Sequence, residues 1–191
     1  MATTDAIAFL GDTILALLRK GLGLTGLVAP ADVILSTPDE FKNFTPNQPS
    51  VTVFLYHVAI NGEMRNSPRR FLPSGAVQGP PLPLELKFLV TPWTKATRDA
   101  YRIIGVIAQL FYDHAVLGSG DLLGNNVWAP DDTVEIMMES LRVEELFDIW
   151  DPSEIPYKLS LTYLARVIGI DSALSTSAAP VAVATFPKVK P

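Results

Sequence analysis

Acidic side chains in the C-terminal half are the first candidates for chemistry in this sequence. The cluster comprises Asp131, Asp132, Glu135, Glu139, Glu144, Glu145, Asp148, Asp151 and Glu154. Carboxylates can bind calcium or form a glycosidase pair, but no calcium-loop spacing is present and no spacing identifies such a pair. Because charge runs usually lie on a solvated face, we interpret the cluster as surface. A carboxylate-dependent hydrolase that uses Asp131 and Asp132 is kept as an alternative.

The two histidines are the remaining candidates for metal binding. His57 lies inside an apolar segment and is predicted to be a half-buried strand residue. His114 follows a long helical pattern and suits the negative end of a helix. Two histidines are too few for a metal site, and the absence of cysteine excludes disulfides and thiolate ligands. The sequence therefore predicts no metal, no cofactor and no enzymatic activity.

The segment Gly21-Leu22-Gly23-Leu24-Thr25-Gly26 matches the glycine pattern of dinucleotide-binding loops. That loop must follow a strand and open a helix, because its glycines bring a helix N-terminus close to a pyrophosphate. Here the segment follows a predicted helix and leads to Val33-Ile34-Leu35. We therefore interpret it as a flexible linker, with Gly21 as the natural end of the first helix.

Composition narrows the class of protein further. The chain of 191 residues has a net charge of −5 and a pI near 5.0, which argues against nucleic acid as a partner. Hydrophobic residues make up 48% and charged residues only 18%, and a subunit interface is one place for the excess apolar surface. The first twenty residues lack the charge order of a signal peptide, and no apolar run reaches membrane-spanning length. We expect a protein that starts in the cytosol and does not insert into a membrane.

Two adjacent patterns organise the predicted fold. The segment 82–91 alternates apolar and polar residues, as a strand with one buried face does, and Pro92 is expected to end it. Thr94 is the expected N-cap of a helix that runs from Lys95 for about twenty residues with a broad apolar face. The other predicted elements are a helix over 3–19, strands over 51–60, 134–138 and 157–170, and a short helix over 141–150. The strand over 51–60 is apolar on both faces and is predicted to be central and covered on both sides.

These elements predict an α+β fold: a mainly antiparallel sheet of about five strands with two long helices packed against one face. Residues 1–170 are predicted to form a single domain. From residue 171 the composition shifts to Ala, Ser and Pro, so residues 171–191 are predicted to be a flexible tail or arm.

Four segments together resemble a known family. They are VTVFLYHVAINGEMRNSPRR (51–70), PLPLELKFLVTPW (81–93), YRIIGVIAQLFYDHAVLGSGDL (101–122) and LFDIWDPSEIPYKLSLTYLARVIGID (146–171). The pattern contains Arg65-Asn66 before Pro68, a strand closing on Pro92-Trp93, Ile104-Gly105 in the long helix, and Trp150 before Pro-Tyr-x-x-Ser-x-x-Tyr. In this order the motifs resemble the cap, or tail-terminator, family of extracellular contractile injection systems, which are phage-tail-like particles. The resemblance covers about residues 3–170.

The resemblance implies a non-enzymatic part of an injection particle that assembles in the cytoplasm. Caps of this family form a six-fold ring of identical subunits that closes the finished tube at the end away from the baseplate and binds the last sheath layer. Sheath and inner-tube proteins are therefore the implied partners. A monomeric adaptor that docks a partner protein without closing a ring remains an alternative.

Two segments are the candidate sites of protein interaction. Arg65, Arg69 and Arg70 lie in a turn-rich segment without periodicity, where guanidinium groups can bind carboxylates of a neighbouring subunit. Asn66 belongs to the same motif. In the tail, only Val181–Phe186 has strand-forming residues, so Val181, Val183 and Phe186 are predicted to add to the open sheet edge of a neighbour.

Overall fold

A six-stranded sheet forms the centre of the computed structural model, which describes residues 2–65, 68–72 and 74–177. The strands along the chain are β1 (Val33–Leu35), β2 (Ser50–Ile60), β3 (Arg70–Phe71), β4 (Ala76–Gln78), β5 (Leu82–Trp93), β6 (Val116–Leu117), β7 (Val134–Glu139), β8 (Leu161–Ile170) and β9 (Ser175–Ser177). The central sheet has the order β1-β2-β5-β8-β7-β6. β1 runs parallel to β2, and the other neighbours are antiparallel. The predicted α+β class is confirmed, but the sheet has six strands instead of about five.

Helices cover both faces of this sheet. The long helices α1 (Ala6–Thr25) and α3 (Thr97–Asp113) pack on one face, where alternate residues of β5 such as Leu86 and Phe88 enter the main core. The short helices α2 (Pro38–Phe41) and α4 (Val143–Trp150) pack on the other face in a second, aromatic core. The prediction that helices lie on one face only is therefore wrong. None of the helices in the described residues is long and apolar enough to cross a bilayer.

The first helix continues through the glycine-containing segment that the sequence predicted to be a linker. It ends at Thr25, and Gly26 caps it in the left-handed conformation at φ 66°. A Cβ atom on Gly21 would lie 2.7 Å from Cδ2 of Leu110, so this glycine allows α1 and α3 to approach closely. Packing between the helices therefore outweighs the weak helix propensity of glycine, which is about 1 kcal/mol below that of alanine.

Three other predicted boundaries are wrong. β5 continues through Pro92 to Trp93, because its ladder with β8 ends at Val90 and only β2 pairs with this part of the strand. α3 starts at Thr97 after Ala96, so Thr94 is not its cap. β8 starts at Leu161 instead of residue 157.

β2 is buried on both faces only in its first part. Residues 50–53 are buried, whereas several residues toward its end, beyond the three that pair with β1, are exposed. His57 lies at a register irregularity between β2 and β5 and is exposed, so the prediction of a half-buried histidine is wrong.

A small three-stranded antiparallel sheet adjoins the end of β2 and the start of β5. Its order is β3-β4-β9, and we refer to these strands as the small sheet. β9 belongs to the segment after residue 170, so the first residues of the predicted tail pair with β4. The domain boundary at residue 170 stays a prediction.

Candidate protein-interaction surfaces

The predicted arginines lie on the connection that follows β2. Arg65 is in a turn, Arg69 directly precedes β3, and Arg70 is the first residue of that strand. All three side chains are exposed, and none forms an ion pair within the described residues. Asn66, by contrast, lies outside the described residues. Three unpaired guanidinium groups on one connection give this end of the protein a local positive charge that is available to a partner.

Asn61 fixes the start of this connection, a role that the sequence indicated only as a turn. It is buried, its backbone N–H donates to the Pro83 carbonyl at 2.9 Å, and its amide Nδ2 donates to Glu85 Oε1 at 2.8 Å. Its side-chain oxygen accepts hydrogen bonds from the backbone N–H groups of Glu63 and Met64, each at 3.0 Å. Because Arg65 follows directly, this turn determines where the first arginine leaves the sheet.

The small sheet joins the arginine segment to the start of the C-terminal tail. Arg70 pairs with Gln78 on β4, and Gln78 pairs with Ser175 on β9, so the three side chains share one face. The amide of Gln78 donates to the Ser172 carbonyl at 2.8 Å and holds the incoming tail. Val181, Val183 and Phe186 lie outside the described residues. The arginine segment thus meets the start of the tail, which is about a hundred residues later in the sequence, on one small sheet.

The small sheet carries large apolar side chains that are exposed to solvent. Phe71 on β3 is 77% exposed, and Leu174, just before β9, is 79% exposed. Large apolar groups at such exposure next to free arginines are typical of protein interfaces, in which aromatic residues and arginine are enriched.

Several acidic residues of the C-terminal half form ion pairs with neighbouring side chains. Within the described residues, no group of three or more His, Asp or Glu side chains is arranged to hold a metal ion. Glu139 instead pairs with Lys87 on the open part of the sheet and accepts a hydrogen bond from the Tyr56 hydroxyl at 3.2 Å. Burial and the Glu139 carboxylate raise the pKa of Tyr56 above its ordinary value, so the phenol stays a neutral donor. His114 is at the end of α3, as predicted, with Nδ1 3.0 Å from the Leu110 carbonyl oxygen.

A groove of about 1000 Å³ opens at the end of the sheet opposite the small sheet. Its walls come from the segments 41–49, 92–101 and 155–159. Its lining includes the aromatic residues Phe44, Trp93, Tyr101 and Tyr157, the prolines Pro46, Pro49, Pro92 and Pro156, and the lysines Lys42, Lys95 and Lys158. No pattern in the sequence indicated this groove, because its three walls meet only in the tertiary structure.

Both lateral edges of the central sheet are partly open. β1 pairs only with Val51–Val53, so the remainder of β2 has no outer neighbour among the described strands. At the opposite edge β6 covers only the start of β7. Exposed apolar residues accompany both edges: Leu35, Val58 and Ile60 at the first, Val116 and Met138 at the second.

Solved structures that share this fold include two tube-terminating proteins. One is the sheath/tube terminator of PVC, an extracellular contractile injection system, in the extended state, with a TM-score of 0.70, 16% identity, and coverage of 100% of this chain and 65% of that chain. The other is the tube-terminating cap of the anti-feeding prophage AFP, with a TM-score of 0.60, 14% identity, and coverage of 94% and 60%. The chain thus spans less than two thirds of the length of either protein. Comparison with curated proteins gives no significant match.

The Pvc16 N-terminal domain family matches residues 10–184. This range contains the central sheet, nearly all of α1, the small sheet and most of the predicted tail. The match extends past residue 170, where the resemblance in the sequence motifs ended. That resemblance is confirmed. The chain belongs to the Pvc16 N-terminal domain family.

Proposed function

We propose that the protein is a structural, non-enzymatic terminator that closes the distal end of the tube and sheath of a contractile phage-tail-like particle. The family match over residues 10–184 carries this proposal. The similarity of the whole chain to the PVC sheath/tube terminator, at a TM-score of 0.70, supports it. Assembly would take place in the cytoplasm, before the particle acts outside the cell.

The terminator would act as a closed ring, with six copies in the arrangement that the sequence resemblance implies. A ring of identical subunits needs a heterologous contact, in which one surface meets a different surface of the next copy. The β1–β2 edge and the β6–β7 edge lie on opposite sides of the central sheet and carry different exposed apolar residues. Contact between these two edges would bury Leu35, Val58 and Ile60 against Val116 and Met138, and would cover both open strands.

Sheath and inner-tube proteins would be the partners of this ring. The exposed arginines Arg65, Arg69 and Arg70 would bind carboxylates of a neighbour, since unpaired guanidinium groups suit bidentate recognition. The tail would extend from β9 toward a neighbouring sheet edge, with Val181, Val183 and Phe186 as its apolar contacts. Ordering about six tail residues costs roughly 6–12 kcal/mol of backbone entropy, so this arm needs a preformed edge.

Labelling of the protein on purified particles tests the proposal. Because the chain contains no cysteine, a single cysteine at the exposed position of Arg102 on α3, which belongs to neither sheet edge nor to the small sheet, can be labelled with maleimide-gold and located under the electron microscope. The proposal expects gold at one end of each particle, the end without the baseplate. Gold along the sheath, at the baseplate or absent from particles would contradict it. A protein that is absent from particles and monomeric by native mass would instead fit the monomeric adaptor.

A further inference from the structure

We propose that the groove at the end of β5 is a docking site for an extended, acidic, proline-containing segment of a partner protein. The proposal goes beyond the terminator role, because neither the arginines nor the sheet edges take part in it. It rests on the aromatic lining, the exposed amides and the charge of the groove.

The floor of the groove is a rigid aromatic platform. The Trp93 indole N–H donates to Thr52 Oγ1 at 2.9 Å, which fixes the ring. Phe44 packs edge-on against the Trp93 ring, with ring centroids 5.0 Å apart. Phe41 also contacts the Trp93 ring, with ring centroids 5.6 Å apart. A platform that is already ordered loses little conformational entropy when a ligand binds. Trp93 itself is only 5% exposed, so it supports the exposed aromatic residues of the lining, Tyr101 at 62% and Tyr157 at 38%. Exposed aromatic rings beside prolines are the surfaces that bind polyproline II segments.

Polar groups in the groove suit an extended main chain. Asn47 and Gln48 line the groove and are exposed, so their side-chain amides are available to a ligand. Each can both donate and accept, as the peptide groups of a ligand require. A bound helix would already satisfy its own main-chain groups, whereas an extended segment leaves them free. The exposed amides therefore favour an extended ligand.

The charge of the groove selects an acidic ligand. Lys42 is paired with Glu154, and Asp99 is paired with Arg102. Lys95 and Lys158 have no ion-pair partner among the described residues, and the Lys158 ammonium lies over the Trp93 ring at 5.1 Å from its centroid. The groove thus carries two uncompensated positive charges on a chain with a net charge of −5.

This charge argues against two occupants from the chain itself. The C-terminal tail carries Lys188 and Lys190, whose charges repel those of the groove. A second copy could offer the acidic helix α4, but α4 borders the same groove through the contact of Phe147 with Tyr157, at 5.2 Å between ring centroids. If two copies each inserted α4 into the groove of the other, they would form a two-fold symmetric dimer, whereas the proposed ring needs a heterologous contact. A partner protein remains the occupant that fits.

Binding of a synthetic peptide tests the proposal. The probe is a fluorescein-labelled peptide of alternating Pro and Glu, about ten residues long, which spans roughly 30 Å in the polyproline II conformation. Fluorescence anisotropy with the full chain should show saturable binding that weakens as salt increases. Matched peptides with Lys in place of Glu, or Ala in place of Pro, should bind at least about tenfold more weakly. Absence of saturable binding of the probe, or equal binding of the three peptides, would overturn the proposal.

Variants of the chain locate the binding site. Tyr101→Ala should weaken binding roughly tenfold, because Tyr101 is a 62% exposed aromatic residue that lines the groove. Tyr112→Ala is the matched control on the same helix, 84% exposed and outside the groove, and should bind as the wild type does. The pair Lys95→Glu and Lys158→Glu should weaken binding of the Glu peptide and strengthen binding of the Lys peptide. Thermal unfolding checks that each variant is folded.

Two further results would also contradict the proposal. If truncation after Ser177 tightens peptide binding, the tail of the chain itself occupies the groove. If light scattering finds a dimer that Lys158→Glu dissociates, α4 of a second copy is the occupant.

Discussion

Tyr163 places a hydroxyl group in the main core without a hydrogen-bond partner among the described residues. The side chain is buried, and its ring packs against Phe111 with centroids 4.4 Å apart. Burial raises the pKa of the Tyr163 phenol above its ordinary value, so it remains protonated. A buried hydroxyl without a partner loses its hydrogen bonds to water and gains none in the protein.

Tyr163→Phe should therefore raise the free energy of unfolding, by about 1 kcal/mol. The aromatic contact with Phe111 is kept, and only the unsatisfied oxygen is removed. Urea denaturation of the two proteins measures the difference. A loss of stability would mean that the hydroxyl has a partner that this geometry does not contain.

The arginines on the β2–β3 connection should act in recognition and not in folding. Replacement of Arg65, Arg69 and Arg70 by Ala should change the free energy of unfolding by no more than about 0.5 kcal/mol per substitution, since all three are exposed and form no ion pair with any residue that the structure describes. Incorporation of the protein into particles should fall and become more sensitive to salt.

Replacement of three exposed cations on the long helices, Lys20, Arg98 and Arg102, is the control for net charge, and of these Arg102 forms a surface ion pair with Asp99. It removes the same net charge from the chain but leaves the arginine segment intact. Unfolding of the arginine variant, or equal loss of incorporation in both variants, would contradict a specific role for the arginine segment.

At the scale of the elements, the sequence patterns predicted the long elements and also β7 and α4, but they failed at strands of two or three residues. The alternation in β5 and the broad apolar face of α3 were readable, because each pattern repeats over several turns or pleats. The small sheet was missed, because strands of two or three residues contain no period. The continuation of α1 through Gly21 was missed for another reason. Gly21 faces Leu110 on α3, and no local sequence pattern contains such a contact between two helices.

The C-terminal segment has two parts with different expected roles. Truncation after Ser177 keeps β9 and should leave thermal stability unchanged while weakening attachment to the particle. Truncation after Asp171 also removes β9 and the Ser172 carbonyl that Gln78 binds, so it should in addition destabilise the small sheet. Hydrogen exchange of the β4 amides distinguishes the two truncations. If the chain that ends at Ser177 assembles as well as the full chain, residues 178–191 are not an arm.

At the scale of the whole molecule, the α+β class and the family could be predicted from the sequence, whereas the interaction surfaces could only be predicted in part. The arginines are visible in the sequence because they interrupt all periodicity. The open edges and the groove depend on the relative lengths of neighbouring elements. For example, β1 pairs with only three residues of β2 and leaves the rest of that edge open. Such lengths follow from packing and are not encoded in a local pattern.

Ring closure should depend on the apolar residues of the sheet edges. Met138→Glu would place a charge in the proposed contact and should shift the protein from ring to monomer in native mass spectrometry, at concentrations at which the wild type is assembled. Met138→Leu is the matched control, because it keeps the apolar character and similar volume. Equal ring formation by both variants would exclude this edge from the interface.

The length of particles in cells that lack this protein tests the terminator role most directly. A terminator stops growth of the tube and sheath, so its loss should broaden the length distribution and leave distal ends open, as measured by electron microscopy of purified particles. Expression of the wild-type chain from a plasmid should restore a single length, and the Arg65, Arg69 and Arg70 triple variant should restore it less well. Particles of normal, uniform length with closed ends in the deletion strain would contradict the account.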